Sequence, residues 1–519
     1  YQNTKDIKVE DVTLQSGQII ENYTIPAGSM IIPNRQPEAP LIAAILEFDA
    51  DIDTDVLVEE RQKSLKSGSS IMYDTTAFNF TMMYGLDAVT VNEHVDSNLE
   101  IWNQSPVSSE VVKDAVIWAT NGSDDNSVAF AARLMEQNIE VRIIDKESSL
   151  SGHTLPRGSV AVLQMDNPDI LNLQNLVKTV SDELNISVVS IESGFGPEEL
   201  PDWGGRHFRL LEKPQIAMLS HEGFNSYDVG VSWWSLDHHL GIRHSLINAS
   251  LANYGDLRRY NTIILPSGNP DLSDYAKNML MDWVKQGGTL IANNRSTRSI
   301  ISSDAMSSVK NLNSTFDKSK SFNMDLMREI YSLEENIDIS DANTNKVDNE
   351  ITYPWETSDV TYSKEQLEMR DKWQSTLMPS GAIVSARADN ENWLTFGAED
   401  VVPVLYGNYP ILMTGGNSLA ALRIGELIPN KDSETKTINW SQIPSGYDLN
   451  VRMSGLVWPE ASQRIANSAY LTREKVGKGQ IILFSGEPNF RGSARGTNRL
   501  WLNAVVYGSG LGTNPLINP

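Results

Sequence analysis

Short apolar runs alternate with amphipathic stretches from about residue 213 to the end of the chain. Apolar runs at 215–220, 262–265 and 289–292 are separated by amphipathic stretches at 231–241 and 273–288. Apolar runs bounded by turn residues are typical of buried strands, and stretches with a 3.6-residue period are typical of helices. This pattern predicts an α/β domain over 213–519 with a doubly wound, mostly parallel sheet.

The same alternation occurs on a smaller scale over 109–212. Strand-like runs precede and follow two amphipathic stretches, at 127–138 and 172–184. The pattern predicts a small α/β module, and a parallel sheet with helical crossovers is the packing that we expect for it.

Two regions depart from this alternation. Residues 1–108 read as short extended pieces bounded by Pro and Gly, which predicts a β-rich segment. The stretch at about 300–378 is rich in Ser, Asn, Asp and Lys, with helical patterns at 322–335 and 363–377, and we interpret it as an insertion in the third domain.

Composition excludes several kinds of chemistry. The 519 residues contain no cysteine, so disulfides, thiolate metal sites and cysteine nucleophiles are absent. A formal charge of −25 disfavours nucleic acid as a partner. No apolar run approaches the roughly 20 residues of a transmembrane helix, so we expect no membrane span.

Two local motifs carry a resemblance. Tyr73-Asp74-Thr75-Thr76-Ala77 lies near the N-terminus, and Pro488-Asn489-Phe490-Arg491-Gly492 precedes Gly496-Thr497 and Asn503-Ala504 near the C-terminus. Both resemble the region that follows the catalytic domain in bacterial zinc carboxypeptidases of the carboxypeptidase A-like family. The resemblance implies a non-catalytic scaffold from a secreted or periplasmic metallopeptidase. The partners that the resemblance implies are the parent's catalytic domain and a peptide substrate.

Zinc is implied only for that absent catalytic domain. None of the seven histidines is followed three positions later by Glu, as the His-x-x-Glu zinc motif of the family requires. The cluster Asp237-His238-His239 is no substitute, because adjacent histidines on a helix point about 100° apart. We therefore expect this chain to hold neither a metal nor another cofactor.

The third domain is similar to the class I glutamine amidotransferase-like fold, a flavodoxin-like architecture. The similarity lies in Leu265-Pro266-Ser267-Gly268 and in the strand that precedes Asn293-Asn294-Arg295-Ser296. The family's nucleophilic cysteine stands where this chain has that Asn-Asn turn, and its His-Pro-Glu base segment corresponds to Ser485-Gly486-Glu487. Only the acidic residue is retained, which implies a catalytically silent relative.

Other functions remain open. Ends of adjacent parallel strands meet in one crevice, where His221, Glu222 and Ser267 could form a hydrolytic site. A peptide-binding or sugar-binding module is a further alternative, favoured slightly by the twelve tryptophans. Arg491 and Arg495 could hold a carboxylate, or they could tie their loop to Glu487 or to the acidic body of the protein.

The turn at 121–126 offers one more possible site. It precedes the first predicted helix of the small module, where backbone N–H groups could bind an anion. The Gly-x-Gly-x-x-Gly spacing of nucleotide-binding loops is missing, so an ordinary capped helix start is the simpler interpretation.

Overall fold

The computed structural model describes residues 1–49, 51–95, 98–103, 109, 111–112, 115–196, 200–249, 256–302, 306–333, 353 and 360–513. The protein is of the mixed α/β class, with one large mixed sheet and several small sheets. Within these residues no helix is both long and apolar enough to cross a membrane.

The N-terminal region combines small antiparallel sheets with helices that the sequence pattern did not predict. Its three-stranded sheet has the order β3-β2-β4. The second helix is marked by an N-cap at Asp53 and by a left-handed Gly68 at its C-cap, rather than by an apolar stripe. The elements are β1 (Gln2–Asn3), β2 (Ile7–Leu14), β3 (Ile19–Ile25), α1 (Ala39–Leu46), α2 (Thr54–Ser67), α3 (Phe80–Tyr84), β4 (Val89–Val91) and β5 (Leu99–Glu100).

The small module contains a five-stranded sheet whose order is β11-β6-β10-β7-β12. Every pairing in it is antiparallel, so the expected parallel sheet is wrong. The hairpin β8–β9, rather than a helix, connects β7 to β10, so β10 runs back between β6 and β7. The elements are β6 (Ile117–Thr120), α4 (Asn126–Glu136), β7 (Val141–Ile144), β8 (Ser148–Leu150), β9 (His153–Leu155), β10 (Val160–Leu163), α5 (Leu173–Leu184), β11 (Val189–Ile191) and β12 (Phe208–Leu210).

The large sheet has twelve strands and is parallel in only one half, so the predicted mostly parallel sheet is wrong for the other half. The run β14-β13-β15-β16-β28 is parallel. The parallel half comprises β13 (Ile216–Ser220), α6 (Ser226–Trp234), β14 (His244–Asn248), β15 (Thr262–Leu265), α7 (Asp274–Lys285), β16 (Thr289–Asn293) and α8 (Thr297–Ile301), and β28 follows later in the chain.

The other half of this sheet is antiparallel and begins at the hairpin between β27 and β28. Val476 pairs with Gly479 across a tight turn, which forces the two strands to run in opposite directions. The remaining elements of the chain are β17 (Lys310–Asn311), α9 (Ser319–Ser332), α10 (Lys364–Gln374), β18 (Ala382–Ala388), β19 (Val401–Tyr406), β20 (Leu412–Met413), β21 (Ser418–Ile424), β22 (Glu426–Pro429), β23 (Lys436–Ile438), β24 (Ser441–Ile443), β25 (Tyr447–Asn450), β26 (Arg452–Ser454), α11 (Pro459–Ile465), β27 (Ala469–Val476), β28 (Gly479–Phe484) and α12 (Arg495–Tyr507). Of these, β22 with β25 and β23 with β24 form two separate two-stranded sheets.

The predicted insertion packs against this antiparallel half through α9. Glu329 on that helix forms an ion pair with the buried Arg423 of β21. Asn323 exchanges two hydrogen bonds with Gln442 of β24. Helices lie at both predicted positions, while residues 334–352 and 354–359 of the insertion lie outside the described residues. The predicted domain boundaries stay predictions.

Candidate functional site

A pocket of about 530 Å³ lies at the carboxyl ends of the parallel strands. In open parallel sheets, ligands bind at this edge, because the loops that follow the strands converge there. On one side it is lined by the loops after β13, β15, β16 and β28, and on the other by α2, the segment 375–380 and the loop after β19. The lining residues are Ser64, Gly68, Ser70, Gly223, Phe224, Asn225, Ser267, Gly268, Asn269, Asn294, Arg295, Ser375, Thr376, Met378, Pro379, Ser380, Gly407, Asn408, Tyr409 and Glu487.

Two glycines allow the loops after β13 and β15 to touch. A Cβ on Gly268 would lie 2.3 Å from the carbonyl oxygen of Gly223. Any other residue at position 268 would therefore clash, and the two loops can approach this closely only because it is glycine. Backbone hydrogen bonds join the loops on both sides of it, from Asn225 to Ser267 and from Asn269 to Gly223. The two loops therefore form one fixed wall of the pocket.

Asn294 forms the turn that follows β16. Its φ of 45° lies in the left-handed region, which asparagine adopts more readily than most residues. Its side-chain Nδ2 donates a 2.8 Å hydrogen bond to Glu487 Oε1, and its buried Oδ1 has no partner among the described residues. The turn thus orients the Glu487 carboxylate from the neighbouring loop.

Asp228 and Glu487 bring two carboxyl groups together beside this turn. Asp228 lies in the first turn of α6 and is only 8% exposed. Burial, and secondly the adjacent charge of Glu487, raises the pKa of Asp228 to about 7, although the nearby Ser267 hydroxyl opposes the rise. The buried Asp228 carboxyl therefore retains its proton to a higher pH than an exposed aspartic acid does.

Aromatic and basic side chains complete the pocket. Tyr409 packs against Gly486, and a Cβ on that glycine would lie 3.0 Å from the ring. Burial and then the charge of Glu487 hold the pKa of the Tyr409 phenol well above its usual value, so it remains a hydrogen-bond donor. Arg295 is exposed at the rim and makes no ion pair with another described residue.

The predicted hydrolytic residues are only partly brought together. Ser267 is 3% exposed and lines the pocket, whereas His221 and Glu222 are exposed and are not among its lining residues. His221 has a left-handed φ of 72°, and its Nδ1 lies 2.7 Å from Ser220 Oγ. The acidic side chains near Ser267 are those of Asp228 and Glu487, and the sequence pattern did not associate either of them with Ser267.

The two predicted binding arginines lie outside the pocket lining. Arg491 forms a bidentate ion pair with Asp74, at 2.8 and 2.9 Å. The guanidinium of Arg495 lies 4.8 Å from the ring centre of Trp234, and its Nη1 lies 3.4 Å from His239 Nδ1. Burial, followed by the charge of Arg495, lowers the pKa of His239 to about 4. Both arginines thus connect parts of the protein to one another.

The turn at 121–126 is held by a protein side chain. Arg499 of α12 donates to the carbonyl oxygens of Gly122 and Asp124, each at 2.7 Å. The N-cap residue of α4, Asp125, makes no side-chain capping hydrogen bond, so the predicted capped helix start is wrong and the guanidinium of Arg499 holds the turn instead. In the part of the chain that the structure describes, no group of three or more His, Asp or Glu side chains is arranged to hold a metal ion.

Sequence reasoning missed the central role of three pocket residues. Glu487 was noted as the retained acidic residue of the base segment and as a possible partner of the loop arginines, Asn294 was noted only as part of the turn that replaces the catalytic cysteine, and Asp228 was not noted at all. Asp228 lies in the first turn of α6, where acidic residues are common, so the sequence carries no signal that this side chain is buried.

Comparisons with known proteins identify no family for the chain. No family model matches, and no curated protein matches. Similar solved structures include a ThuA-like protein from Bacteroides uniformis ATCC 8492, with 11% identity over 56% of this chain and 89% of that one, at a TM-score of 0.27. A β-galactosidase from Bacillus circulans sp. alkalophilus has 10% identity over 58% of this chain, which corresponds to 32% of its own, at a TM-score of 0.26.

An exo-β-1,4-mannosidase from the Opitutaceae bacterium strain TAV5 has 9% identity over 58% of this chain and 36% of its own, at a TM-score of 0.26. This chain therefore matches only about a third of either glycosidase. TM-scores at this level carry no argument about function, and the α/β class rests on the helices and sheet pairings of this chain.

These findings contradict the resemblance to zinc carboxypeptidases and the metallopeptidase parent that it implied, while the non-catalytic scaffold role stays a prediction. The similar structures named above are a ThuA-like protein and two glycosidases, and no family model or curated protein supports a carboxypeptidase. The secreted or periplasmic location stays a prediction. The motifs behind the resemblance have local structural roles. Thr76 hydrogen-bonds the Gly381 carbonyl, and Phe490–Gly492 forms a single helical turn, which unrelated proteins can share.

Proposed function

We propose that the pocket binds a small, neutral, polyhydroxylated ligand such as a monosaccharide. The observation that carries this proposal is the lining itself, in which amide and hydroxyl side chains outnumber apolar ones. Asn269 and Asn408 are exposed there, and neither side chain makes a hydrogen bond to another described residue. Amide groups both donate and accept, as the hydroxyl groups of a sugar do.

Two further features favour a sugar over an apolar ligand. Glu487 presents carboxylate oxygens, which accept strong hydrogen bonds from hydroxyl groups. Phe224 and Tyr409 offer aromatic surface, and the Tyr409 phenol adds a donor. A few placed polar groups with aromatic surface are typical of small-molecule sites. The alternative of a hydrolase with His221 as base has no contact between His221 and Ser267 to support it.

A binding assay with defined probes tests the proposal. We would titrate the protein with D-glucose, D-galactose, D-mannose, L-arabinose and myo-inositol by calorimetry and ligand-observed NMR. D-glucuronate is the charged comparison, because Arg295 at the rim could bind an anion. We expect at least one neutral probe to bind, and to bind more tightly than D-glucuronate.

Matched variants locate the site. Asn269→Ala and Asn408→Ala should each weaken binding about five- to tenfold, because a lost hydrogen bond corresponds to roughly 1 kcal/mol. Asn278→Ala is the control, since Asn278 is exposed on α7 and does not line the pocket. Absence of binding by all neutral probes, or equal binding by the pocket variants and the control, would refute the proposal.

A further inference from the structure

The Tyr409 ring is held in the pocket by glycine backbone along both of its long sides. A Cβ added at Gly407 would lie 3.3 Å from Cζ and 3.4 Å from Cε1 of the ring. A Cβ added at Gly486 would lie 3.0 Å from Cε2 and 3.1 Å from Cδ2. Each glycine therefore lets the backbone approach the ring more closely than a side chain would allow, and the ring is confined between the two.

The backbone that carries this ring is fixed as well. Tyr409 N–H donates a 2.9 Å hydrogen bond to the Gly407 carbonyl, which closes a tight turn. Ser485 Oγ donates a 2.7 Å hydrogen bond to the Pro410 carbonyl, and Ser485 N–H donates at 2.7 Å to the Tyr470 carbonyl. The loop after β19 is thus tied to the loop after β28.

Part of the Tyr409 ring remains open to the pocket. Tyr406, which is fully buried on β19, packs against it with 5.5 Å between ring centres and 60° between the ring planes. Tyr409 itself is only half-buried, and it lines the pocket. A ligand in the pocket can therefore contact the ring, while the ring's other neighbours belong to the body of the protein.

A fixed hydrogen-bond acceptor lies next to this aromatic surface. Gly486 is followed directly by Glu487, which lines the pocket and whose Oε1 accepts the 2.8 Å hydrogen bond from Asn294 Nδ2. The positions of the apolar surface and of the carboxylate are thus both set before a ligand arrives. Preorganisation of this kind favours a ligand that is itself rigid.

A pyranose ring matches these two features. Its C–H groups form a rigid apolar face that can stack on an aromatic ring, and its hydroxyl groups project from the edge and can donate to a carboxylate. An open-chain polyol has the same kinds of groups, but its flexible chain loses conformational freedom on binding and presents no fixed apolar face. The pocket therefore favours a ring sugar over its open-chain counterpart.

We propose that Tyr409 is an aromatic platform on which the ligand's pyranose ring stacks, and that Gly486 is a positioning residue that holds Tyr409 there. This inference rests on the proposed function and narrows its ligand from polyhydroxylated molecules to ring sugars. Gly486 does not line the pocket, so it acts on the ligand through Tyr409. A methyl group at position 486 would lie 3.0 Å from both Tyr409 and the buried Tyr470, so the half-buried Tyr409 ring is the one that moves.

Matched pairs of ligands test the preference for ring sugars. D-glucose, D-galactose, D-mannose and L-arabinose are each titrated alongside the alditol obtained by reducing that sugar, which keeps the hydroxyl groups but has no ring. We expect the alditol of any sugar that binds to bind about two- to tenfold more weakly, because it lacks the stacked contact. An alditol that binds as tightly as its parent sugar would overturn the ring preference.

Variants of Tyr409 separate the ring from its hydroxyl group. Sugar C–H protons that stack on an aromatic ring shift upfield in the NMR spectrum, because they lie in its ring current. The wild type and Tyr409→Phe should both give this shift, whereas Tyr409→Leu should abolish it and weaken binding about two- to tenfold. Phe224→Leu, at the other aromatic residue of the pocket lining, should keep the shift. Loss of the shift in Phe224→Leu but not in Tyr409→Leu would overturn the platform.

Gly486→Ala tests the positioning role. It should weaken sugar binding about two- to tenfold and reduce the upfield shift, because the displaced ring no longer stacks on the ligand. Gly204→Ala is the control, since a Cβ there would have no neighbour within 4 Å and neither glycine has a left-handed φ. Should Gly486→Ala fail to fold, Gly407→Ala, whose contact with the same ring is milder, replaces it. Wild-type affinity and shift in the folded variant would overturn the positioning role.

These experiments separate the inference from the proposed function. If none of the sugars binds, the proposed function fails and the platform fails with it. If a sugar binds, and Tyr409→Leu and Gly486→Ala bind it with the affinity and the upfield shift of the wild type, the proposed function stands and only this inference is overturned.

Discussion

Asp228 shows how one residue can couple the stability of a protein to pH. Its folded-state pKa of about 7 lies above the ordinary value of 3.8, because burial and the Glu487 charge disfavour the carboxylate. Below about pH 4 both the folded and the unfolded chains carry the proton. Between pH 4 and 7 only the folded chain retains it, so this residue's contribution to stability falls as pH rises and is constant above the folded pKa.

Replacing Asp228 with Asn should remove that pH dependence. The free energy of unfolding of Asp228→Asn, minus that of the wild type, should increase between pH 4 and 7 by a few kcal/mol, at up to about 1.4 kcal/mol per pH unit. Urea unfolding across this range measures the difference, with the exposed Asp237→Asn as control. A difference that stays constant with pH would contradict the buried, proton-retaining state of Asp228.

At the scale of elements, α12 joins the small module to the large sheet through one guanidinium. Arg499 is 2% exposed and donates to the carbonyls of Gly122 and Asp124 and to Ser127 Oγ. Its Nε donates to Asn503 one turn later on the same helix. An arginine that donates to several buried acceptors acts as a structural cross-link, because its removal leaves those acceptors without hydrogen-bond donors.

Truncation of the Arg499 side chain should strongly destabilise the protein. Arg499→Ala should destabilise the protein by about 3–5 kcal/mol, through lost hydrogen bonds and a cavity between α12 and α4. Arg328→Ala, on an arginine of α9 whose side chain is 77% exposed, should change stability by less than about 0.5 kcal/mol. Calorimetry and near-ultraviolet circular dichroism measure both. Similar unfolding of the two variants would contradict the cross-link.

At the scale of the whole molecule, the N-terminal region docks on the antiparallel half of the sheet at Thr76. Its backbone N–H and its Oγ1 both donate to the Gly381 carbonyl, and its Oγ1 accepts from Leu456 N–H at 2.8 Å. Gly381 leaves room for this contact, since a Cβ there would lie 2.6 Å from Thr75. Docking also places α2 beside the pocket, where Ser64 and Gly68 line one side.

Thr76→Val should weaken the docking of the N-terminal region on the large sheet while preserving the shape of the side chain. The substitution leaves the Leu456 N–H without a hydrogen-bond acceptor, so we expect the free energy of unfolding to fall by about 1–3 kcal/mol. Faster hydrogen exchange in residues 73–77 should accompany that loss. Thr90→Val, at an exposed position of β4, is the isosteric control and should have little effect. Unchanged exchange in Thr76→Val would show that docking does not depend on this hydroxyl.

The sequence by itself determined the class of the protein and many of its local elements. The runs at 215–220, 262–265 and 289–292 are β13, β15 and β16, and the stretch at 273–288 contains α7 with Ser273 as its N-cap. These predictions succeed because apolar periodicity and capping are properties of neighbouring residues. The turn after β16 was also predictable, since Asn-Asn directly follows a buried strand.

Only the tertiary structure decided strand direction and the composition of the pocket. The runs that became β6, β7 and β10 look alike in sequence, and their antiparallel order depends on which distant strand each one pairs with. Asp228 lies in α6 and Glu487 lies in the loop after β28, so no local sequence pattern relates them. Their proximity and the raised pKa of Asp228 arise from burial and charge in three dimensions, which sequence spacing does not record.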